Sequence, residues 1–193
     1  MKLRKSTNRG TLIKIHVVNE GEVTSQQKLD FDSLRDMCFS HVDPVEVEEC
    51  FYAESFSRIL TYDGVKLVGI LRLFKREVIF DEKNVVLGGI GGVCVLPGFR
   101  SRGIGSRMVV KALQVLRNEF VDVACLNANV SRNADKFYEA LGFTMMNRPI
   151  SFEDVHGNLR HDTGTMFIPV CSNAIYNHIM NSSSTFHYGR GYW

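Results

Sequence analysis

The sequence predicts a mixed α/β fold: a mostly antiparallel sheet that contains one parallel pair of strands and is flanked by helices. Two β-type runs, residues 57–62 and 65–74, are joined by Asp63-Gly64, a dipeptide typical of tight hairpins. A third run, residues 85–95, extends this antiparallel meander and leads through a basic loop into a helix and another strand. A strand–helix–strand unit implies that its two strands are parallel, so the sheet is expected to be mixed.

The remaining elements follow from local patterns. Residues 11–18 are a β-rich run suited to a first strand, and residues 29–38 carry apolar side chains at helical spacing. Residues 121–128 indicate a short buried strand after the loop-bearing helix. Residues 133–141 form a predicted helix that ends at Gly142, because glycine favours the left-handed conformation at a helix C-terminus.

Length and composition predict one domain, residues 1–193, of 21.9 kDa. A formal net charge of +2 gives no case for nucleic-acid binding. The five cysteines form no C-x-x-C pair, which favours reduced thiols in a cytoplasmic protein. No apolar run approaches the length of a membrane span, and none follows the basic residues 1–6, so we expect neither secretion nor membrane insertion. We also expect no metal site.

A basic, glycine-punctuated loop follows the strand that ends at Val95. The first turn of a helix has backbone N–H groups without partners and carries the positive end of the helix dipole. Gly103 and Gly105 allow a ligand to approach that backbone, and Arg100 and Arg102 add charge. This pattern predicts a phosphate or pyrophosphate site; the alternative is a helix that begins at glycine without a ligand. A P-loop and a dinucleotide fingerprint are excluded, because neither glycine pattern is present.

A run of glycines, residues 88–92 interrupted by Ile90, lies inside the predicted third strand. Glycine weakens strands and often marks a bulge or the close approach of a ligand or another backbone. The alternative is a strand packed tightly against a helix.

Two motifs resemble the signatures of the GNAT superfamily of N-acetyltransferases. The Arg-x-x-Gly-x-Gly pattern at residues 100–105 is similar to the family's acetyl-CoA loop, and Ala-x-x-Phe-Tyr-Glu-x-Leu-Gly-Phe at residues 134–143 is similar to its second signature. The resemblance implies a GNAT fold in which the loop-feeding strand splays from its parallel neighbour and binds the pantetheine of acetyl-CoA. It implies cofactor contacts from nine residues: Val93, Cys94, Val95, Arg100, Ser101, Arg102, Gly103, Ile104 and Gly105.

The same resemblance implies two catalytic roles. An amide near Val93 would stabilise the oxyanion of the tetrahedral intermediate, and Tyr138 would protonate the departing thiolate as a general acid. The alternative for Tyr138 is a core tyrosine whose hydroxyl is bonded by the protein.

The C-terminal part resembles the aminoglycoside 2'-N-acetyltransferases, through residues 161–170 and the end at residues 189–193. By that likeness, Asp162 and the carboxylate of Trp193 would contact an ammonium group of the acceptor. An equal alternative is that Trp193 simply packs into the surface. Those relatives carry a glutamate that acts as general base through water, two residues before the position of Val93, whereas this chain has Gly91 there. Candidate bases are then Glu54, Asp162 and the terminal carboxylate.

Residues 30–54 contain a cluster of acidic side chains with a single base, Arg35. The cluster is either a solvated face or the border of a site for a cationic acceptor.

The function expected from the resemblance is transfer of an acetyl group from acetyl-CoA to a primary amine of a small molecule, with aminoglycosides as one candidate class. The alternative is a non-catalytic acyl-CoA sensor or interaction module, which the missing carboxylate at Gly91 motivates. The sequence does not identify the acceptor or the oligomeric state, although an exposed strand edge can pair with a second copy in a homodimer.

Overall fold

The structure, a computed structural model, describes residues 12–193. The helices in this part of the chain are α1 (Ser25–Phe39), α2 (Pro44–Cys50), α3 (Ile104–Asn118), α4 (Ala134–Glu139) and α5 (Asn173–Asn181). The strands are β1 (Ile13–Asn19), β2 (Ser57–Asp63), β3 (Lys66–Phe80), β4 (Lys83–Val95), β5 (Val123–Asn127), β6 (Thr144–Met145), β7 (Ile150–Glu153), β8 (Leu159–Asp162), β9 (Thr165–Pro169) and β10 (Phe186–Arg190).

Seven strands form the main sheet in the order β1-β2-β3-β4-β5-β9-β6. Its neighbours are antiparallel except β4 and β5, which pair in parallel across α3. The predicted mixed α/β fold, mostly antiparallel with one parallel pair, is therefore confirmed. The predicted first strand began at residue 11, which lies outside the described residues, as do residues 1–6.

Two tight hairpins fix the register of the first half of the sheet. Asp63 pairs with Lys66 across a turn in which Gly64 has φ +62°. Phe80 pairs with Lys83 across the two-residue turn at positions 81 and 82, where φ is +45° and +65°. Positive φ at both central residues matches the right-handed twist of the flanking strands.

The two faces of the main sheet pack against different elements. One face packs on α3 and α4, through a core that includes Leu71, Leu73 and Met108. The opposite face is covered near β3 and β4 by α1, which packs Phe31 and Leu34 on Ile70. Further along, the same face is covered by α5 and by a small second sheet in the order β10-β7-β8.

An aromatic cluster joins the second sheet to the main one. Phe186 and Tyr188 alternate with the half-buried His187 along β10 and are fully buried. Tyr192 stacks on Phe152 of β7 with ring centroids 4.8 Å apart. Local sequence patterns did not predict α2, β7, β8, α5 or β10.

The glycine run of β4 has a structural reason at each position. A Cβ at Gly88 would lie 2.7 Å from Val121 Cγ1 and close to Leu116 of α3, so this glycine permits tight packing against the helix side. Gly89 and Gly91 face the opposite side. The register of β3 and β4 shifts next to Gly92, which has φ +62° and marks a β-bulge. Both expectations for the run, bulge and tight packing, are therefore met.

Cys38 of α1 and Cys94 of β4 form a disulfide. The expectation of five reduced thiols is wrong for this pair, whereas Cys50, Cys125 and Cys171 are free. The two partners are 56 residues apart in sequence. They meet because α1 packs on β4, a contact that spacing in the sequence could not indicate.

Candidate active site

A cleft of about 950 Å³ passes through an opening in the main sheet. β4 and β5 pair only from Leu87 to Gly89 on one strand and from Val123 to Cys125 on the other. Beyond these residues the strands separate, and the cleft is lined by β4 on one side and by residues 127–129 on the other. It therefore connects the face that carries α4 with the face that carries α1.

Main-chain groups of β4 are available along this opening. The Leu96 N–H donates to Val68 O of β3 at 2.9 Å. Because the backbone groups of a strand alternate in direction, those of Cys94 also face β3, and those of Val95 face away from it. Val93 lines the cleft beside the bulge, where the ladder to β3 is interrupted. The strand can thus donate hydrogen bonds to an extended ligand through Val93 and Val95, whereas the Cys94 main chain is used by β3.

The predicted phosphate loop leads into an uncapped helix. Gly103 is the N-cap of α3, has φ +70° and provides no side-chain bond to the first turn. Ser101 also has a positive φ, +59°. A turn in which left-handed residues alternate with others directs successive backbone N–H groups toward one side and forms a concave anion site. Ile104 contributes only its main chain, because its side chain is buried in the core.

Gly105 has a packing reason in addition to the expected approach of a ligand, which stays a prediction. A Cβ there would lie 3.3 Å from Phe137 Cζ of α4, so its small size serves helix packing. Among the loop glycines at positions 103 and 105, only Gly103 has the left-handed φ that favours glycine.

Both loop arginines are exposed and fold back onto the loop. Arg100 Nε donates to Val95 O at 2.9 Å, and Arg102 Nη2 donates to Gly98 O at the same distance. Arg100 also lines the cleft. Their guanidinium groups leave further N–H donors for an anion, since each group has five.

Tyr138 of α4 lines the cleft and is only 8% exposed. The ring packs edge-on against Phe137 and Phe143, with centroids 4.9 and 5.9 Å apart. Among the described residues, none forms a hydrogen bond with its hydroxyl. Burial raises the pKa of Tyr138 to about 12, so the phenol stays protonated at neutral pH. This is the protonation state of a general acid.

Trp193 packs against Gly89 and Gly91, the two glycines of β4 that face away from α3. A Cβ at Gly89 would lie 2.3 Å from Trp193 Cε2, and one at Gly91 would lie 3.1 Å from the Trp193 main-chain carbonyl carbon. The ring stacks between Phe74 and Tyr188, with centroids at 5.3 and 4.9 Å, and is 5% exposed. Trp193 is therefore buried in the protein, as the alternative expected, and it also forms part of the cleft wall. A glutamate at position 91 has no room here.

Asp162, at the end of β8, is a second predicted acceptor contact that the structure brings to the cleft, beside Trp193. Its carboxylate accepts hydrogen bonds from Asn127 Nδ2 and, at 2.6 Å, from the Thr163 N–H. Burial raises the pKa of Asp162, and these hydrogen bonds offset only part of the effect. A carboxylate with a raised pKa is a better proton acceptor than an ordinary one. By contrast, Glu54 is exposed and does not line the cleft, so we drop it from the site.

The acidic cluster divides between both expected roles. Asp36 and Glu48 line the wall of the cleft that α1 and α2 form. Asp43 instead caps α2 by accepting from the Val45 N–H at 2.9 Å, and Asp32 pairs with Arg35 at 3.3 Å.

Several residues that line the cleft were not predicted as site residues from the sequence, among them Arg72, Asn127, Asn129 and Arg132. Asn127 and Asn129 lie at the carboxyl end of a buried parallel strand, a position where ligands commonly bind. Arg72 interrupts an apolar strand. Both signals were present in the sequence.

Comparisons with known proteins agree with this geometry. A family model described as an acetyltransferase (GNAT) domain matches residues 22–146. Escherichia coli ElaA has a similar structure, with a TM-score of 0.61 and 19% identity over 81% of this chain and 97% of that chain. An aminoglycoside acetyltransferase from an uncultured soil metagenomic sample gives a TM-score of 0.52 and 19% identity over 66% of this chain and 86% of that chain.

A probable N-acyltransferase from Enterococcus faecalis gives a TM-score of 0.53 and 15% identity. The match covers 69% of this chain and only 33% of that chain, about a third of its length. At such identities the structural likeness shows the fold alone. No curated protein matches the sequence.

Proposed function

This chain belongs to the GNAT acetyltransferase family, and from that premise we propose that it transfers the acetyl group of acetyl-CoA to a primary amine of a small molecule. One observation carries the proposal. The cleft crosses the sheet where β4 and β5 separate, and both Tyr138 and the β4 main chain that β5 leaves unpaired line it. Direct transfer needs two substrates that meet from opposite faces, which such a passage permits.

Each chemical step has a candidate group in the cleft. The neutral amine attacks the thioester carbonyl, so a C–N bond forms and the carbonyl becomes an oxyanion, to which the β4 main chain near Val93 donates. The intermediate collapses by breaking the C–S bond, and Tyr138 gives its proton to the departing thiolate. Asp162 accepts the proton that the amine loses, directly or through water. The phosphates of acetyl-CoA bind to the loop at residues 100–105.

An aminoglycoside is one acceptor that the proposal covers. Glu48 and Asp162 line the cleft and suit a polycation, as does Asp36 in spite of its ion pair with Arg35, and one solved structure of similar fold is an aminoglycoside acetyltransferase. Arg72 in the same cleft opposes a polycation by charge repulsion. We therefore propose the broader class of primary amines and keep aminoglycosides as one arm of the test.

The test is acetyl transfer across a panel of amines, aminoglycosides included. Cys171 is an exposed free thiol and would react with thiol reagents, so loss of the ultraviolet absorbance of the thioester is the better readout. Acceptor-dependent loss of thioester supports the proposal. Binding of acetyl-CoA without turnover on any amine would contradict it and favour a sensor.

Other expectations remain predictions. No helix in the described part of the chain is long and apolar enough to cross a membrane. The cytoplasmic location stays a prediction, and the Cys38–Cys94 disulfide is a reason to test it, because disulfides are rare in the cytosol. The homodimer, like the single-domain organisation, is still to be tested; β1 is an edge strand that pairs only with β2 within the described residues.

A further inference from the structure

Arg72 places a cation in the acceptor side of the cleft. It lies on β3 between Leu71 and Leu73, which are both fully buried on the opposite face. Its guanidinium carbon lies 5.4 Å from the Phe74 ring centroid, and the residue lines the cleft. Arg72 pairs with Gly91 in the β3–β4 register, so its side chain shares the face of the sheet that Trp193 covers.

The neighbouring cations already have partners. Arg58, directly opposite Arg72 on β2, binds Glu20 at 2.9 Å. Arg35 of α1 binds Asp32 at 3.3 Å and Asp36 at 2.9 Å. The carboxylates of Glu20, Asp32 and Asp36 are therefore paired with Arg58 and Arg35 and not with Arg72.

Arg72 itself has no carboxylate partner among the described residues. Within residues 12–193 it forms no salt bridge, and its Nε is buried without a hydrogen-bond partner. Burial lowers the pKa of Arg72, the charges of Arg35 and Arg58 act in the same direction, and those of Glu20 and Asp32 offset only part of the effect. A desolvated cation without a directly bonded counterion is costly, and like charges on directly opposed strand residues are unfavourable. The contact with the Phe74 ring is the one packing role that the strand offers this guanidinium within the described residues.

We propose that Arg72 binds a carboxylate of the acceptor, so that the acceptor is an amino acid or a related amino-carboxylate. This inference rests on the proposed acetyl transfer and names its substrate class. The planar guanidinium fork matches a carboxylate with two parallel hydrogen bonds. Asp162, on the same cleft, suits the amine of such a molecule.

Charge balance favours a carboxylate over a phosphate dianion or a polyamine. Of the two arginines that α1 and β3 place on this wall of the cleft, Arg72 is the one without a salt bridge to any described residue, so it suits a ligand with one negative charge. A phosphate dianion paired with Arg72 would leave one negative charge unneutralised in a partly desolvated site. A polyamine would add positive charge beside Arg72.

The experiment compares matched substrates in matched variants. Amino acids and the amines left after removal of their carboxyl group are tested as acceptors with wild type, Arg72→Gln, Arg72→Lys and Lys75→Gln. Lys75 lies on the same strand, exposed and paired with Glu119, and its replacement removes one positive charge away from the cleft. Thermal unfolding of each variant confirms that it is folded.

We expect wild type to prefer the carboxylates by at least about 10-fold in kcat/KM, because removing one partner of a charged pair weakens binding strongly. Arg72→Gln should lose most of this preference, Arg72→Lys should retain part of it, and Lys75→Gln should leave it unchanged. Equal use of both substrate types by wild type, or an equal loss in Lys75→Gln, would overturn the inference.

A binding measurement separates this inference from the proposed function. Trp193 is the single tryptophan of the chain and lines the cleft, so its fluorescence reports acceptor binding without turnover. With acetyl-CoA replaced by CoA, free amino acids should bind wild type at least about 10-fold more tightly than Arg72→Gln. If no amine is acetylated but this difference persists, the proposed function fails and the carboxylate site stands. If the difference is absent, the carboxylate site fails.

Discussion

Tyr138 has a buried ring and a hydroxyl that no described residue bonds, which is the arrangement expected of a proton donor rather than of a core tyrosine. Its replacement by phenylalanine keeps the packing against Phe137 and Phe143 and removes only the hydroxyl. We expect Tyr138→Phe to lower kcat by about 10²- to 10⁴-fold, the usual contribution of a general acid. The dissociation constant of acetyl-CoA should stay within about 2-fold, because the hydroxyl acts on the thiolate and not on the phosphates.

Steady-state kinetics and calorimetry on the same preparation measure both quantities. Phe137→Leu serves as a control for altered packing next to the hydroxyl. An unchanged kcat in Tyr138→Phe would remove the hydroxyl from the mechanism.

Gly89 shows how the C-terminal residue determines the composition of β4. A Cβ at this position would lie 2.3 Å from Trp193 Cε2, in a region where both residues are buried. Gly89→Ala is therefore expected to lower the free energy of unfolding by about 1–3 kcal/mol, as overpacking does elsewhere. Denaturant unfolding followed by Trp193 fluorescence measures the change.

Gly98→Ala is the matched control, because nothing lies within 4 Å of a Cβ there. Its effect should stay within about 0.5 kcal/mol. Equal stability of the two variants would show that Trp193 does not pack on β4 as described.

At the scale of elements, the Cys38–Cys94 disulfide holds α1 against β4 at the acceptor wall. Titration of thiols in denaturant should find three before reduction, Cys50, Cys125 and Cys171, and five after it. In the chain-entropy view, a bridge over 56 residues stabilises the fold by about 4 kcal/mol. Cys38→Ser should lose that stability under oxidising conditions only. Five reactive thiols before reduction would show that the bridge is not formed.

The hairpin between β7 and β8 depends on the buried carboxylate of Asp154. It accepts from the Asn158 N–H at 2.8 Å, the His156 N–H at 3.0 Å and Arg160 Nε at 2.8 Å. Burial acts to raise the pKa of Asp154, but these hydrogen bonds outweigh it and hold the pKa well below its usual range. A lowered pKa stabilises the folded state above the unfolded value of about 3.9, and this stability is lost as pH falls below it.

Unfolding midpoints measured between neutral pH and pH 3 test this contribution. Wild type should lose stability steeply below about pH 4, and Asp154→Asn should be less stable at neutral pH with a shallower acid dependence. Glu77→Gln, which removes an exposed carboxylate on β3, should follow wild type. Identical acid profiles for wild type and Asp154→Asn would contradict the role of this carboxylate.

For the whole molecule, the elements from β1 to α4 except α2 could be predicted, because their signals are local. Three such signals each depend on only a few neighbouring residues. They are the hairpin turn at Asp63-Gly64, the glycines of β4, and Gly142, which ends the helix of the second GNAT signature. The second sheet could not be predicted in this way, since β10 pairs with β7 from about 36 positions away, as in Phe186 with Ile150.

The candidate site shows the same division. The loop at residues 100–105 and Tyr138 belong to contiguous motifs, whereas Arg72 and Trp193 reach the cleft only through strand pairing and packing. Arg72 still left a local signal, a charge within an apolar strand. The Cys38–Cys94 contact left none, because it depends on how α1 crosses the sheet.

The central claim is that main-chain amides at the start of α3, with Arg100 and Arg102, hold the phosphates of acetyl-CoA in a cleft that crosses the sheet. Calorimetric titration of acetyl-CoA into the folded protein tests it most directly. The Arg100→Gln/Arg102→Gln double variant removes the loop charges, and Arg107→Gln, which removes a charge from α3 outside the cleft, is the control.

We expect one binding site per chain in wild type and in Arg107→Gln, with affinity that falls as salt is added, and at least about 10-fold weaker binding in the double variant. No binding of acetyl-CoA to wild type, or equal affinity in the double variant, would contradict the account.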